Sequence, residues 1–190
     1  MFYEYARLLK EIQPKYFLLE NVNSMSDEAK EEITRHLGVE PILINSQLVS
    51  AQSRKRLYWT NIPNVTQPED KHIKLQDILE YGYADREKSL CIARRYAGCK
   101  GSQSYLCRRY FGKSFYQLAF TNKEDSYFKD NEIPHTIARQ LTCVECERLQ
   151  TLPDNYTAVI KSENDRIEAI GNGWTVDVIA HIFKNLKDLT

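Results

Sequence analysis

Tyr16-Phe17-Leu18-Leu19-Glu20-Asn21-Val22 is the stretch on which the fold of this chain turns. Four apolar residues follow Lys15 and end at a carboxylate, a length that suits a buried strand. Upstream, Phe2, Tyr5, Leu8 or Leu9, and Ile12 recur at helical spacing until Pro14 stops the pattern, so the chain opens helix then strand. Downstream, Ser26-Asp27-Glu28 offers an N-cap and first-turn acids, the helix runs to Leu37, and Gly38 supplies its stop. Pro41-Ile42-Leu43-Ile44 reads as a second strand. Arg56-Leu57-Tyr58-Trp59-Thr60-Asn61-Ile62, closed by Pro63, reads as a third. This alternation predicts an α/β fold with a mostly parallel sheet, and places Glu20 at the C-terminal end of a strand, where such sheets bind ligands.

From Asn64 to about Pro134 the regular period lapses, apart from a short helix expected over 75–79, and the segment reads as an inserted lobe. Periodicity returns at Leu141, with Cys143-Val144, Leu149 and Leu152 bounded by Pro153. It returns again where Val176, Ile179, Phe183 and Leu186 mark a final packed helix.

The chain has 190 residues, 42% of them hydrophobic, enough for a real core and too apolar for disorder. No apolar run approaches the ~18 residues that span a bilayer, and the N-terminus lacks the marks of a secretory signal, so an intracellular protein is expected, cytoplasmic or nucleoid-associated. Five cysteines form an odd, irregular set that reads as reduced thiols. Cys143-x-x-Cys146 has no second ligand pair at workable spacing, so no metal is expected. Lys plus Arg and Asp plus Glu both total 26, so net charge says nothing of partners, but its distribution does. Between Asp85 and Tyr116, eight basic residues (Arg86, Lys88, Arg94, Arg95, Lys100, Arg108, Arg109, Lys113) stand against two acidic ones. That stretch, interleaved with Tyr96, Tyr105, Tyr110, Phe111, Phe115 and Tyr116, reads either as a surface for a polyanion or as a solvated face over an aromatic core.

Three further elements carry chemistry. Gln52-Ser53-Arg54-Lys55-Arg56 places two arginines two apart, which in extended backbone puts both on one side, either toward a ligand or as a solvated face at a strand start. Gly171-Asn172-Gly173-Trp174 combines glycines that allow close backbone approach with an amide and a large ring, either as a ligand turn or as a cap with Trp174 in the core. Glu20 itself either acts on a ligand, or caps a loop, or pairs with Arg54 or Arg56. The longest element is Arg139-Gln140-Leu141-Thr142-x-x-Glu145-x-x-Arg148-Leu149-Gln150-Thr151-Leu152-Pro153.

In this order, Glu20-Asn21-Val22, the Gln-x-Arg-x-Arg element, the Arg139 to Pro153 element and the final glycine turn resemble those of DNA cytosine-5 methyltransferases. The Gly-x-x-Trp form of the last is similar to that of the de novo eukaryotic branch, and Leu152 departs from a common phenylalanine. The resemblance implies the C-terminal part of a Rossmann-like S-adenosylmethionine-dependent methyltransferase sheet with an inserted small DNA-recognition lobe. It further implies catalytic roles for Glu20, Arg54 and Arg56. Glu20 is to meet N3 and the exocyclic amine of a flipped-out cytosine, one arginine is to hold cytosine O2, and the other is to orient Glu20 or a phosphate. Asn172, Gly173 and Trp174 are to form part of the S-adenosylmethionine site, and Arg94, Arg95, Arg108, Arg109 and Lys113 are to contact DNA. Residues 1–63 are then the second half of the catalytic domain, 64–138 the target-recognition lobe, and 139–190 the base of that lobe and the returning helix.

The family's glycine-rich cofactor loop is absent, and no cysteine follows a proline: Cys91, Cys99, Cys107, Cys143 and Cys146 follow Leu90, Gly98, Leu106, Thr142 and Glu145. The expectation is therefore the C-terminal portion of such an enzyme, inactive alone, whose exposed sheet edge is covered by a complementary N-terminal half or by a second copy. The alternative is a DNA-binding accessory module that has lost catalysis.

Overall fold

The structure is a computed structural model that describes residues 2–94, 96, 117–121 and 138–186. The chain folds into two compact units. The first comprises Met1–Asn45, Lys55–Pro68 and Ala180–Thr190, and the second Ser46–Arg54 and Glu69–Ile179.

The first unit holds α1 (Phe2–Ile12), β1 (Leu18–Val22), α2 (Asp27–Leu37), β2 (Ile42–Asn45) and β3 (Lys55–Thr60). Ser26 caps α2 by accepting the Ala29 N–H. Gly38 closes the helix at φ 68°, a left-handed conformation that suits a residue without Cβ. The strands lie in the order β1-β3-β2, and both outer strands pair with β3 antiparallel. The sheet is thus not the mostly parallel one that the alternation predicts: β1 and β2 run the same way but are separated by a reversed strand. The connection Ser46–Arg54, which includes a 3-10 turn at Ser46–Leu48, is shorter than the dozen or so residues a parallel crossover needs.

Strand alternation sorts the sheet into two faces. Leu57 and Trp59 of β3 form a buried cluster with Ile33 of α2, against which Phe2, Leu19, Met25 and Leu37 pack. Trp59 Nε1 also donates to Thr34 Oγ1 at 2.9 Å, satisfying the one polar atom of an otherwise fully buried side chain. The other face carries Glu20, Arg56 and Tyr58, since Glu20 lies opposite Tyr58 and Val22 opposite Arg56.

The second unit holds α3 (Leu75–Ile78), the short antiparallel pair β4 (Leu118–Phe120) and β5 (Ala138–Gln140), α4 (Cys143–Leu149) and α5 (Glu163–Asn172). α6 (Val176–Lys184) begins in this unit and ends in the first. The core of the second unit includes Leu75, Ile92, Tyr96, Leu118, Leu141, Cys146, Leu149 and Ile170. Two fully buried carboxylates organise α4. Glu145 completes a capping box with Thr142, pairs with both terminal nitrogens of Arg139 at 2.6 and 2.8 Å, and accepts the Glu80 N–H at 2.8 Å. Glu147 accepts the N–H groups of Asn155 and Thr157 at 2.7 and 2.8 Å, the Thr157 hydroxyl, and Arg166 at 3.0 Å.

Burial pushes the Glu147 carboxyl up, but the bonds from Thr157, Arg166 and Asn155 together outweigh it and hold the group below the ordinary carboxylate value. A depressed folded-state value means that this contribution to stability is present above the unfolded pKa and is lost as pH falls through the folded one. Urea midpoints measured from about pH 6 down to about pH 3 should therefore fall more steeply for the natural chain than for Glu147→Gln. Equal slopes would remove Glu147 from the account. No helix among the described residues is long and apolar enough to cross a membrane.

Candidate functional site

β1 runs through Val22, so Glu20 sits mid-strand rather than at the strand's end as the sequence predicts. Its Oε1 lies 2.7 Å from Arg56 Nε, across the diagonal of the β1–β3 ladder, with side-chain exposures of 18% and 15%. Arg56 Nη1 donates to the Lys55 carbonyl at 2.9 Å. The result is a carboxylate and guanidinium fixed against each other on rigid strands, partly shielded and still open to a ligand. The Asn21 side chain bonds the adjacent Val22 N–H at 2.8 Å.

Arg54 precedes β3 and behaves differently. It is buried, and its guanidinium is spread over four acceptors: Ile92 O at 2.9 Å and Cys91 Sγ at 3.3 Å from Nη1, Gly173 O at 2.9 Å and Gly171 O at 3.2 Å from Nη2. Gln52, also buried, accepts the Ile92 N–H at 2.6 Å and donates to Leu149 O at 3.1 Å. Gln150 donates to Ile170 O at 3.0 Å and to Gly173 O at 3.3 Å, and accepts the Thr175 hydroxyl at 2.8 Å. These side chains hold the final glycine turn from inside. Asn172 is left exposed and Trp174 about half exposed at 46%. Gly171 packs so closely on the Ala93 and Arg94 backbone that a Cβ there would meet Ala93 C at 2.7 Å.

Spacing alone makes Arg54 and Arg56 a pair; the structure brings Arg56 to Glu20 and Arg54 to the glycine turn. Gln150 stands within the Arg139 to Pro153 element and Thr175 directly follows the glycine turn, but nothing local marks their bonding to each other and to that turn, since a buried amide at a helix end looks like any polar C-terminal residue. Arg94 is largely exposed and its Nε pairs with Glu168 at 2.6 Å. Arg95, Arg108, Arg109 and Lys113 lie outside the described residues, as do Cys99 and Cys107. Cys143 and Cys146 are buried thiols, and burial pushes Cys146 well above the usual thiol value, which leaves it unreactive.

A sequence model of the C-5 cytosine-specific DNA methylases matches residues 1–100 and 44–188, together nearly the whole chain. This chain belongs to that family. Among curated relatives it is 26% identical to the type II methyltransferase M.FnuDI of Fusobacterium nucleatum and 27% to M.NlaX of Neisseria lactamica. These matches cover 99% and 98% of this chain but 69% and 67% of those proteins. Two solved structures share the fold. The Entamoeba histolytica methyltransferase EhMeth has TM-score 0.64 at 16% identity, with 93% of this chain and 64% of that one covered. A Spodoptera frugiperda DNMT2 variant has TM-score 0.63 at 17% identity, with 98% and 71% covered. The mixed α/β architecture is thus that of methyltransferases of this class.

Proposed function

We propose that this chain is the C-terminal portion of a DNA cytosine-5 methyltransferase, acting inside the cell on a cytosine flipped out of duplex DNA. The observation that carries this reading is the ion pair between Glu20 and Arg56, seated on rigid strands in a chain of the methylase family. Cytosine C6 is a poor electrophile until N3 gains a proton or a strong hydrogen bond, and a carboxyl facing N3 and the exocyclic amine supplies it. Arg56 fixes the orientation of that carboxyl and would bring its guanidinium to cytosine O2. The base has to leave the stack because neither C5 nor C6 is approachable within it.

The glycine turn fits S-adenosylmethionine on its own terms, since its carbonyls are occupied from within while the Asn172 amide and the Trp174 ring face outward. When bound, S-adenosylmethionine supplies the electrophilic methyl group. Asn172 and Gly173 would hold its polar end and Trp174 its adenine. Arg94, with the basic stretch that follows it, would meet phosphates.

The nucleophilic thiolate and the rest of the cofactor site fall to a complementary N-terminal half. Two features support such a partner. β1 pairs on one edge only among the described residues, whereas the outer side of β2 receives Gln67 Nε2 on Leu43 O at 2.7 Å. Tyr3, Leu8 and Ile12 of α1 are exposed apolar residues in the same unit. The test is transfer of labelled methyl to duplex DNA by this chain alone and mixed with a half that supplies the glycine-rich loop and Pro-Cys. Activity in the mixture alone supports the proposal. DNA binding with no transfer in either case favours the accessory module, and a homo-oligomer that excludes the added half would assign the β1 edge to a second copy.

A further inference from the structure

We propose that Arg54 is a positioning residue that shapes the 171–174 turn for the methyl donor, and not a partner of Arg56 at the cytosine. The inference deepens the reading above and rests on it. The last turn of α5 leaves carbonyls without intrahelical partners. Ile170 O receives Gln150 Nε2 and the Gly173 N–H, while Gly171 O and Gly173 O receive one arm of Arg54. A guanidinium at a helix C-terminus is also favoured by the helix dipole.

The other arm of Arg54 binds Ile92 O and Cys91 Sγ. Each terminal nitrogen therefore makes two bonds, and both are committed to protein acceptors on opposite sides of the fork. A lysine has one nitrogen on a flexible stem and cannot span the two sets. Because the turn's carbonyls are drawn inward, Asn172 and Trp174 are the groups left to face a ligand. Release of the carbonyls would let the turn rotate and would blur both contacts. The Ala93 backbone against Gly171 adds a hard wall, so the turn keeps one shape while Arg54 holds it. Interactions that bind the donor equally before and during reaction appear in KM, whereas the carboxylate that acts on the base appears in kcat.

The experiment compares the natural chain with Arg54→Lys and with Thr175→Val, which removes only the hydroxyl that orients Gln150 and is close in shape. Acrylamide quenching reads the turn directly, since the chain has two tryptophans and Trp59 is fully buried, leaving Trp174 as the accessible one. Circular dichroism confirms folding. Arg54→Lys should change Trp174 quenching and, with the complementary half added, raise KM for S-adenosylmethionine about tenfold while kcat and KM for DNA stay within about twofold. Thr175→Val should move both readouts the same way by less. Unchanged quenching in both folded variants would overturn the inference, as would a fall in kcat with donor KM unaltered, which would return Arg54 to the reacting base. If the natural mixture transfers no methyl, the proposed function fails, and quenching alone then decides the role of Arg54.

Discussion

Glu20→Gln is expected to lower kcat of the complemented enzyme by about a thousandfold, in line with loss of a positioned acid–base group. Glutamine keeps the shape of the side chain and still offers neutral hydrogen bonds to the cytosine edge. It cannot bring a proton to N3, and that transfer is what renders C6 open to attack. Because both Glu20 and Arg56 retain some exposure, and Arg56 keeps its bond to the Lys55 carbonyl, folding should be little affected. KM for DNA should change by no more than about threefold, since phosphate contacts dominate DNA affinity. Arg56→Lys should show an intermediate loss, confined to kcat, because a lysine restores charge without the paired geometry. Glu20→Gln with kcat within about tenfold of the natural chain would mean that Glu20 only braces the β1–β3 ladder.

The distance between what the sequence shows and what the fold requires differs from element to element. α2 is readable to its ends because both signals are local: the Ser26 side chain reaches its own first turn, and Gly38 takes a conformation other residues resist. β3 is readable as a strand but not in direction, since alternation reports faces and says nothing of polarity. The length of Ser46–Arg54 holds that information. The two arginines diverge for a related reason. Period-two reasoning places Arg54 and Arg56 on one side only if both lie in the strand, and β3 starts at Lys55. That Glu20 meets an arginine of this element is legible as one alternative, but which arginine it meets is set by strand register. The network roles of Gln52, Gln150 and Thr175 are not legible, because a buried polar network is specified by partners far along the chain, Leu149 for Gln52 and Ile170 for Gln150.

The largest stability effect should come from Glu145→Ala, which is expected to destabilise the chain by roughly 3–5 kcal/mol. The carboxylate is fully buried and accepts two bonds from Arg139, plus the N–H groups of Glu80 and Thr142. Arg139 is itself stacked 3.7 Å from the Tyr81 ring centre, with a buried Nε that has no hydrogen-bond partner. Removing Glu145 thus takes the carboxylate from a largely buried guanidinium, which keeps the Gln140 and Tyr81 carbonyls as acceptors, and leaves two backbone donors unmet. A total stability of about 5–15 kcal/mol leaves little room for such a loss, so the variant should unfold at much lower urea, with circular dichroism as the readout. The combined change Arg139→Met and Glu145→Leu separates the charge from the backbone bonds. Replacing both ions with apolar groups of similar volume is often near neutral, so the double variant should recover the part of the loss that comes from the guanidinium deprived of its carboxylate. The remaining deficit measures the unmet Glu80 and Thr142 donors, about 1–3 kcal/mol each when buried. A double variant no more stable than Glu145→Ala would show that the ion pair contributes little, and that the carboxylate matters here through the backbone donors it satisfies.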